Sequence, residues 1–137
     1  MKKTVKRVLI VVVAAVVLFG CFVTIKLSAE YAQMKKELKT IVLSDIDYSN
    51  LEDGNYFGNY KLGLVSAKVR VKIDDGKISD IEIIEHITGK GKKAEGIIDA
   101  VIEEQSVKVD IISGATYSSK TILKAIENAV RNGEQNM

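Results

Sequence analysis

Apolar and polar positions change rhythm along this chain, and each rhythm predicts a different element. From Val8 to Ile25 the chain reads VLIVVVAAVVLFGCFVTI without a charge. A helix rising ~1.5 Å per residue crosses a hydrocarbon core of roughly 30 Å with a run of that length. Between Lys26 and about Val42 the apolar positions are Leu27, Tyr31, Met34, Leu38 and Ile41, alternating by four and three. That spacing marks a helical stripe, which serves as a stalk, a pairing seam or a side lying on the domain; the stalk is favoured. Residues 43–50 have no period and read as linker.

Strand rhythm begins after the Asp53-Gly54 turn, with Tyr56–Tyr60 as a short aromatic strand. Val65, Ala67, Val69, Val71 and Ile73 then alternate with polar residues, a clean period of two. Asp75-Gly76 closes a hairpin onto a return strand, Lys77 to Glu85, whose apolar members are Ile78, Ile81, Ile83 and Ile84. Gly89 and Gly91 break that strand. Ala94, Ile97, Ile98, Val101 and Ile102 then line one face of a helix over Lys92–Gln105. Val107, Val109 and Ile111 alternate again as a strand. Ile122, Ile126, Ala129 and Val130 form the inner face of a last helix, which ends before Gly133. The order β-β-β-α-β-α around a central hairpin indicates an α+β domain, an antiparallel or mixed sheet covered by helices. The expected organisation is a basic tip and membrane anchor over 1–27, a helical stalk and linker over 28–50, and the domain over 51–133.

Charge alters the picture at the anchor. The 137 residues carry 20 basic and 18 acidic side chains, but Lys2, Lys3, Lys6 and Arg7 stand directly before the apolar run. The remainder holds 16 basic against 18 acidic residues and offers no basic face for nucleic acid. Basic residues before a span hold that end in the cytoplasm, so the domain is expected outside the cell membrane on a single pass. Leu18-Phe19-Gly20-Cys21 also resembles a lipobox, with Cys21 as a lipidated anchor. Phe19 is bulky for that box, and the chain stays apolar past the cysteine. A cleavable signal would need an A-x-A-like site, which is missing. With Cys21 alone and one histidine, His86, an intramolecular disulfide and a cysteine- or histidine-rich metal site are excluded.

Candidate chemistry concentrates in Asp110-Ile111-Ile112-Ser113-Gly114-Ala115-Thr116-Tyr117-Ser118-Ser119-Lys120, between the last strand and last helix. Gly114 and Ala115 expose backbone, the helix start presents free N–H groups, and its dipole favours an anion. Thr116, Ser118 and Ser119 add hydroxyls, and Lys120 adds a cation. Taken alone, the stretch is better explained by ordinary Ser/Thr helix capping. The histidine at the end of the second hairpin strand, His86, is either a surface polar group or part of a site.

The wider pattern resembles the FMN-binding domain family, whose members include flavin-carrying subunits of the sodium-pumping quinone reductase and of Rnf electron-transfer complexes. The matching features are Gly54-Asn55-Tyr56, the valine strand ending in Asp75-Gly76-Lys77-Ile78, Glu85-His86, and Asp110 through Lys120. The resemblance implies that Thr116 receives FMN covalently through a phosphodiester, with FAD as donor. Asp110, Ser113, Gly114, Ala115 and Thr116 would be read by a dedicated FMN transferase. Ser113, Gly114, Ala115, Tyr117, Ser118, Ser119, Lys120 and His86 would be the cofactor's other contacts, and Tyr56 and Tyr117 are either stacking rings or half-buried packing. The sequence departs from the family over residues 87–91. No base lies within the motif to activate Thr116, so no catalytic residue is assigned. The expected role is a membrane-anchored electron carrier with membrane or extracytoplasmic redox partners, against a non-covalent FMN or anion module or a flavin-free structural subunit.

Overall fold

The computed structural model describes residues 1–132 of the chain; Gly133, expected to end the domain, lies outside them. The chain divides into two compact units between Gln33 and Met34. Helix α1 runs over Lys2–Thr40. Its portion in the first unit is exposed throughout, and its most apolar stretch has a mean hydropathy of 3.1, long and apolar enough to cross a membrane. The part of α1 belonging to the second unit does not stand free. Met34 (4% exposed) and Ile41 pack with Leu62 and Val65, and Leu38 lies against them. The stripe's end thus lies on the domain, while Leu27 and Tyr31 remain exposed.

Three antiparallel strands follow, β1 (Gly54–Leu62), β2 (Val65–Asp74) and β3 (Lys77–Ile87), in the spatial order β1-β2-β3. Val65, Ala67, Val69, Val71 and Ile73 all point into the core, as the alternation predicts. Asp75 and Gly76 both have positive φ, +50° and +68°, which suits the right-handed twist of a two-residue hairpin. On β3 the inward positions Ile78 and Ile81 are three apart. The register explains this: Ile73 pairs with Ile78 but Lys72 with Asp80, leaving Ser79 as an extra residue. Lys68 pairs with Glu85 and Val69 with Ile83, so Ile84 is the second extra residue and stands 46% exposed.

Residues 107–111 correct one expectation. They form no ladder, although Val107 and Val109 are buried. Local polar contacts hold the segment instead: Ser106 Oγ donates to Asp45, Lys108 N donates to Ser106 Oγ, and Lys108 pairs with Asp45 at 3.0 Å. The helix expected over Lys92–Gln105 is two pieces, a 3₁₀ turn (Lys92–Gly96) and α2 (Ile97–Glu104). Gln105 ends α2 in the left-handed region, and its amide both accepts from Ile78 N and donates to Ile78 O on β3.

Helix α3 (Thr116–Asn132) lies across β1 and β2, burying Ile122, Leu123, Ile126 and Ala129. Its backbone comes so close that a Cβ on Gly58 would sit 2.3 Å from Ala125 O and Ala129 N. Glycine on the strand and alanine on the helix permit that approach. It fixes where α3 begins, and therefore where the turn before it stands.

Candidate functional site

The turn is built from three hydrogen bonds. Ala115 N donates to Ile112 O at 3.0 Å, closing the chain around Ser113 and Gly114. Ile112 N donates to Ser119 Oγ at 3.1 Å, pinning the turn to the first coil of α3. Ser119 N donates to Ala115 O at 2.8 Å, which is the helix's first internal bond. Gly114 takes φ +74°, a region that costs glycine little and an L side chain more.

These bonds remove the capping alternative. Ala115 occupies the cap position and has no side-chain acceptor, and Thr116 is the first helical residue. By helix geometry the N–H groups of Thr116, Tyr117 and Ser118 have no acceptor within α3. An uncapped start of this kind is open to an anionic ligand.

The predicted residues do not all face the same way. Asp110, Ser113 and Gly114 are exposed and Thr116 is half-buried. Ser119 is fully buried and Ser118 is 2% exposed, and both hydroxyls are occupied inside the protein. Lys120 Nζ reaches Leu38 O at 3.4 Å, at the end of α1. Tyr117 lies against the Met34–Leu62 cluster, and Tyr56 is buried with its hydroxyl donating to Glu52 O at 2.8 Å.

His86 is not a surface group. Its side chain is 2% exposed, and Nδ1 lies 3.0 Å from Glu95 Oε1 in the 3₁₀ turn. Among the described residues Nε2 has no hydrogen-bond partner, and it is sealed from solvent. With Thr88, Gly89, Lys92 and Glu95 it lines an open cleft of about 350 Å³ beside β3. The same loop is tied to α3. Thr88 Oγ1 shares a hydrogen with Ser118 Oγ at 2.8 Å and accepts from Gly91 N at 3.1 Å. A Cβ on Gly91 would fall 2.0 Å from Ser118 Oγ, so glycine is required for this closure.

The loop also supplies a residue that the sequence alone did not single out. Lys93 extends over Gly114, its Nζ 3.0 Å from where a Cβ on Gly114 would be. The two residues are distant in sequence, and no local pattern joins them. The combined arrangement is an exposed glycine turn, a half-buried threonine, uncapped N–H groups and an ammonium group. That donor set suits a phosphate ester.

Comparison with known proteins agrees with that chemistry. Residues 65–131 match the model of the FMN-binding domain, a range that contains the whole turn and Lys93. This segment is similar to the FMN-binding domain family. The FMN-binding domain match begins at β2, so β1 and α1 precede it. An uncharacterized protein of Treponema pallidum (strain Nichols) is 27% identical over 86 residues, 61% of this chain and 24% of that protein. The chain thus spans about a quarter of that relative's length. No solved structure matches it.

Proposed function

We propose that this chain is a membrane-anchored, extracytoplasmic electron carrier holding FMN on Thr116 through a phosphodiester. One observation carries the reading: within the segment that matches the FMN-binding domain, half-buried Thr116 stands at a helix start that no described side chain caps. The free N–H groups and helix dipole favour the phosphate's negative charge, each such interaction being worth roughly 0.3–1 kcal/mol near a surface. Ser118 and Ser119 contribute by shaping the turn. Asp110, Ser113 and Gly114, all exposed, are the part of the motif a transferase can read.

Attachment needs that outside enzyme. A threonine hydroxyl is a poor nucleophile without a base. The chain's one imidazole is buried and its Nδ1 is held by Glu95. In the reaction with FAD, the bond from Thr116 Oγ1 to phosphorus forms while the pyrophosphate bond breaks. AMP leaves, and the hydroxyl proton goes to a base on the transferase. Once bound, the flavin supplies the redox chemistry, and the protein supplies its position and surroundings. A small domain on the one candidate span among the described residues suits electron exchange with membrane or extracytoplasmic partners.

The test is a denaturing gel of the full chain coexpressed with an FMN transferase and viewed under ultraviolet light. The wild type gives a fluorescent band, Thr116→Ala gives none, and Thr116→Ser keeps some. A dark wild-type band rejects the proposal, and fluorescence lost on denaturation points to non-covalent binding instead.

A further inference from the structure

We propose that Lys93 is the cation that holds the phosphate charge on Thr116, an inference that rests on the flavin-carrier reading above. Lys120, the cation nearest in sequence, is directed to Leu38 O. Lys93 instead crosses the glycine of the motif, with Nζ 3.0 Å and Cε 3.6 Å from the place of a Gly114 Cβ. Among the described residues no carboxylate pairs with Lys93, whereas Lys108, Lys124, Arg70 and Arg131 each have one.

Its place is fixed although its side chain is exposed. The 3₁₀ turn is anchored in the core by Ala94 and followed by buried Ile97, both 0% exposed. Ala94 N donates to Gly91 O at 2.9 Å, and Gly91 N donates to Thr88 Oγ1, which is bonded to Ser118 in α3. Glu95 is held by His86. Four neighbouring residues thus tie the backbone of Lys93 to β3, to the core and to the start of α3. With the backbone held, only the lysine side chain is left to order when an anion arrives. Glycine at 114 keeps the space between them clear.

The experiment is a thermodynamic cycle on the full chain in detergent micelles. Melting is measured by calorimetry before and after loading to completion with transferase and FAD. Lys93→Met keeps the stem and removes the charge, Lys93→Arg keeps the charge, and Lys90→Met removes a charge elsewhere in the same loop. Loading is expected to raise Tm by about 2–5 °C more in wild type than in Lys93→Met at low salt. Lys93→Arg should recover most of that difference, Lys90→Met should match wild type, and 0.5 M NaCl should shrink it. A Lys93→Met chain that resists loading while Lys93→Arg loads also supports the assignment. Equal rises in wild type and Lys93→Met, or an equal loss in Lys90→Met, overturn it. A wild type that never becomes fluorescent overturns the carrier reading and this inference with it; a loaded wild type with equal rises overturns this inference alone.

Discussion

Single side chains decide both what the turn can bind and what the core tolerates. Gly114→Ala introduces a methyl group at φ +74° and 3.0 Å from Lys93 Nζ. The expected loss is about 1 kcal/mol from backbone strain, read by urea denaturation, because the flexible lysine end can withdraw. Tyr48 tests a different balance. It is 5% exposed, and its hydroxyl is buried with no partner among the described residues. Burial first, then the charges of Asp45 and Glu127, push its ionisation up to about 12. An unfolded tyrosine ionises near pH 10, so above that pH the unfolded chain releases a proton that the folded chain keeps. The stability due to the neutral hydroxyl is therefore complete below pH 10 and lost as pH rises toward 12, by ~1.4 kcal/mol per pH unit. Tyr48→Phe should be as stable as wild type or ~1 kcal/mol more so at neutral pH, with an advantage that widens between pH 10 and 11. Urea unfolding at pH 7, 10 and 11 measures it, and a constant gap would contradict the assignment. The burial of His86 was not legible beforehand, because one polar residue at a strand end reads alike whether its side chain turns out or in.

Elements were legible where their period was long and their partners local. The alternation of Val65 to Ile73 and the Asp75-Gly76 turn named both strands of the hairpin. Val107 to Ile111 carries the same period, yet forms no ladder, since alternation reports which side chains are buried and not which backbone groups pair. The bulges at Ser79 and Ile84 were hidden for the converse reason: an extra residue shifts the period without leaving a signature of its own. Gly58 carries no signal of its own within the aromatic strand, but it is where α3 touches the sheet. Gly58→Ala should cost ~3 kcal/mol or more, because backbone atoms at 2.3 Å cannot yield without moving the helix. Since α3 carries Thr116 at its start, the variant should also flavinylate more slowly per folded molecule. Chemical denaturation and gel fluorescence give the two readouts. Stability within ~0.5 kcal/mol of wild type would show that α3 has room to shift.

At the scale of the whole chain, one unit is suited to lipid and the other to water. Residues before Met34 are exposed, with Val8 to Ile25 apolar, whereas the described residues after it enclose a core around β2 and α3. In the proposed topology Lys2, Lys3, Lys6 and Arg7 remain in the cytoplasm, held there by the bias of basic residues flanking a span. Two changes separate that topology from its rivals. Cys21, exposed on α1, is replaced by serine. By mass spectrometry a spanning helix keeps residues 1–20 with or without Cys21, whereas a chain held by lipid on Cys21 has lost them and gained acyl chains in wild type and keeps them in Cys21→Ser. In this cysteine-free background, Lys90→Cys on the exposed loop of the domain and Lys3→Cys at the basic end provide single thiols. A membrane-impermeant maleimide applied to intact cells should label Lys90→Cys, and should label Lys3→Cys only after permeabilisation. The reverse pattern would put the flavin turn in the cytoplasm and remove the extracytoplasmic partners from the proposal. Equal labelling of both before permeabilisation would mean that α1 does not span, leaving the apolar run to be covered in some other way.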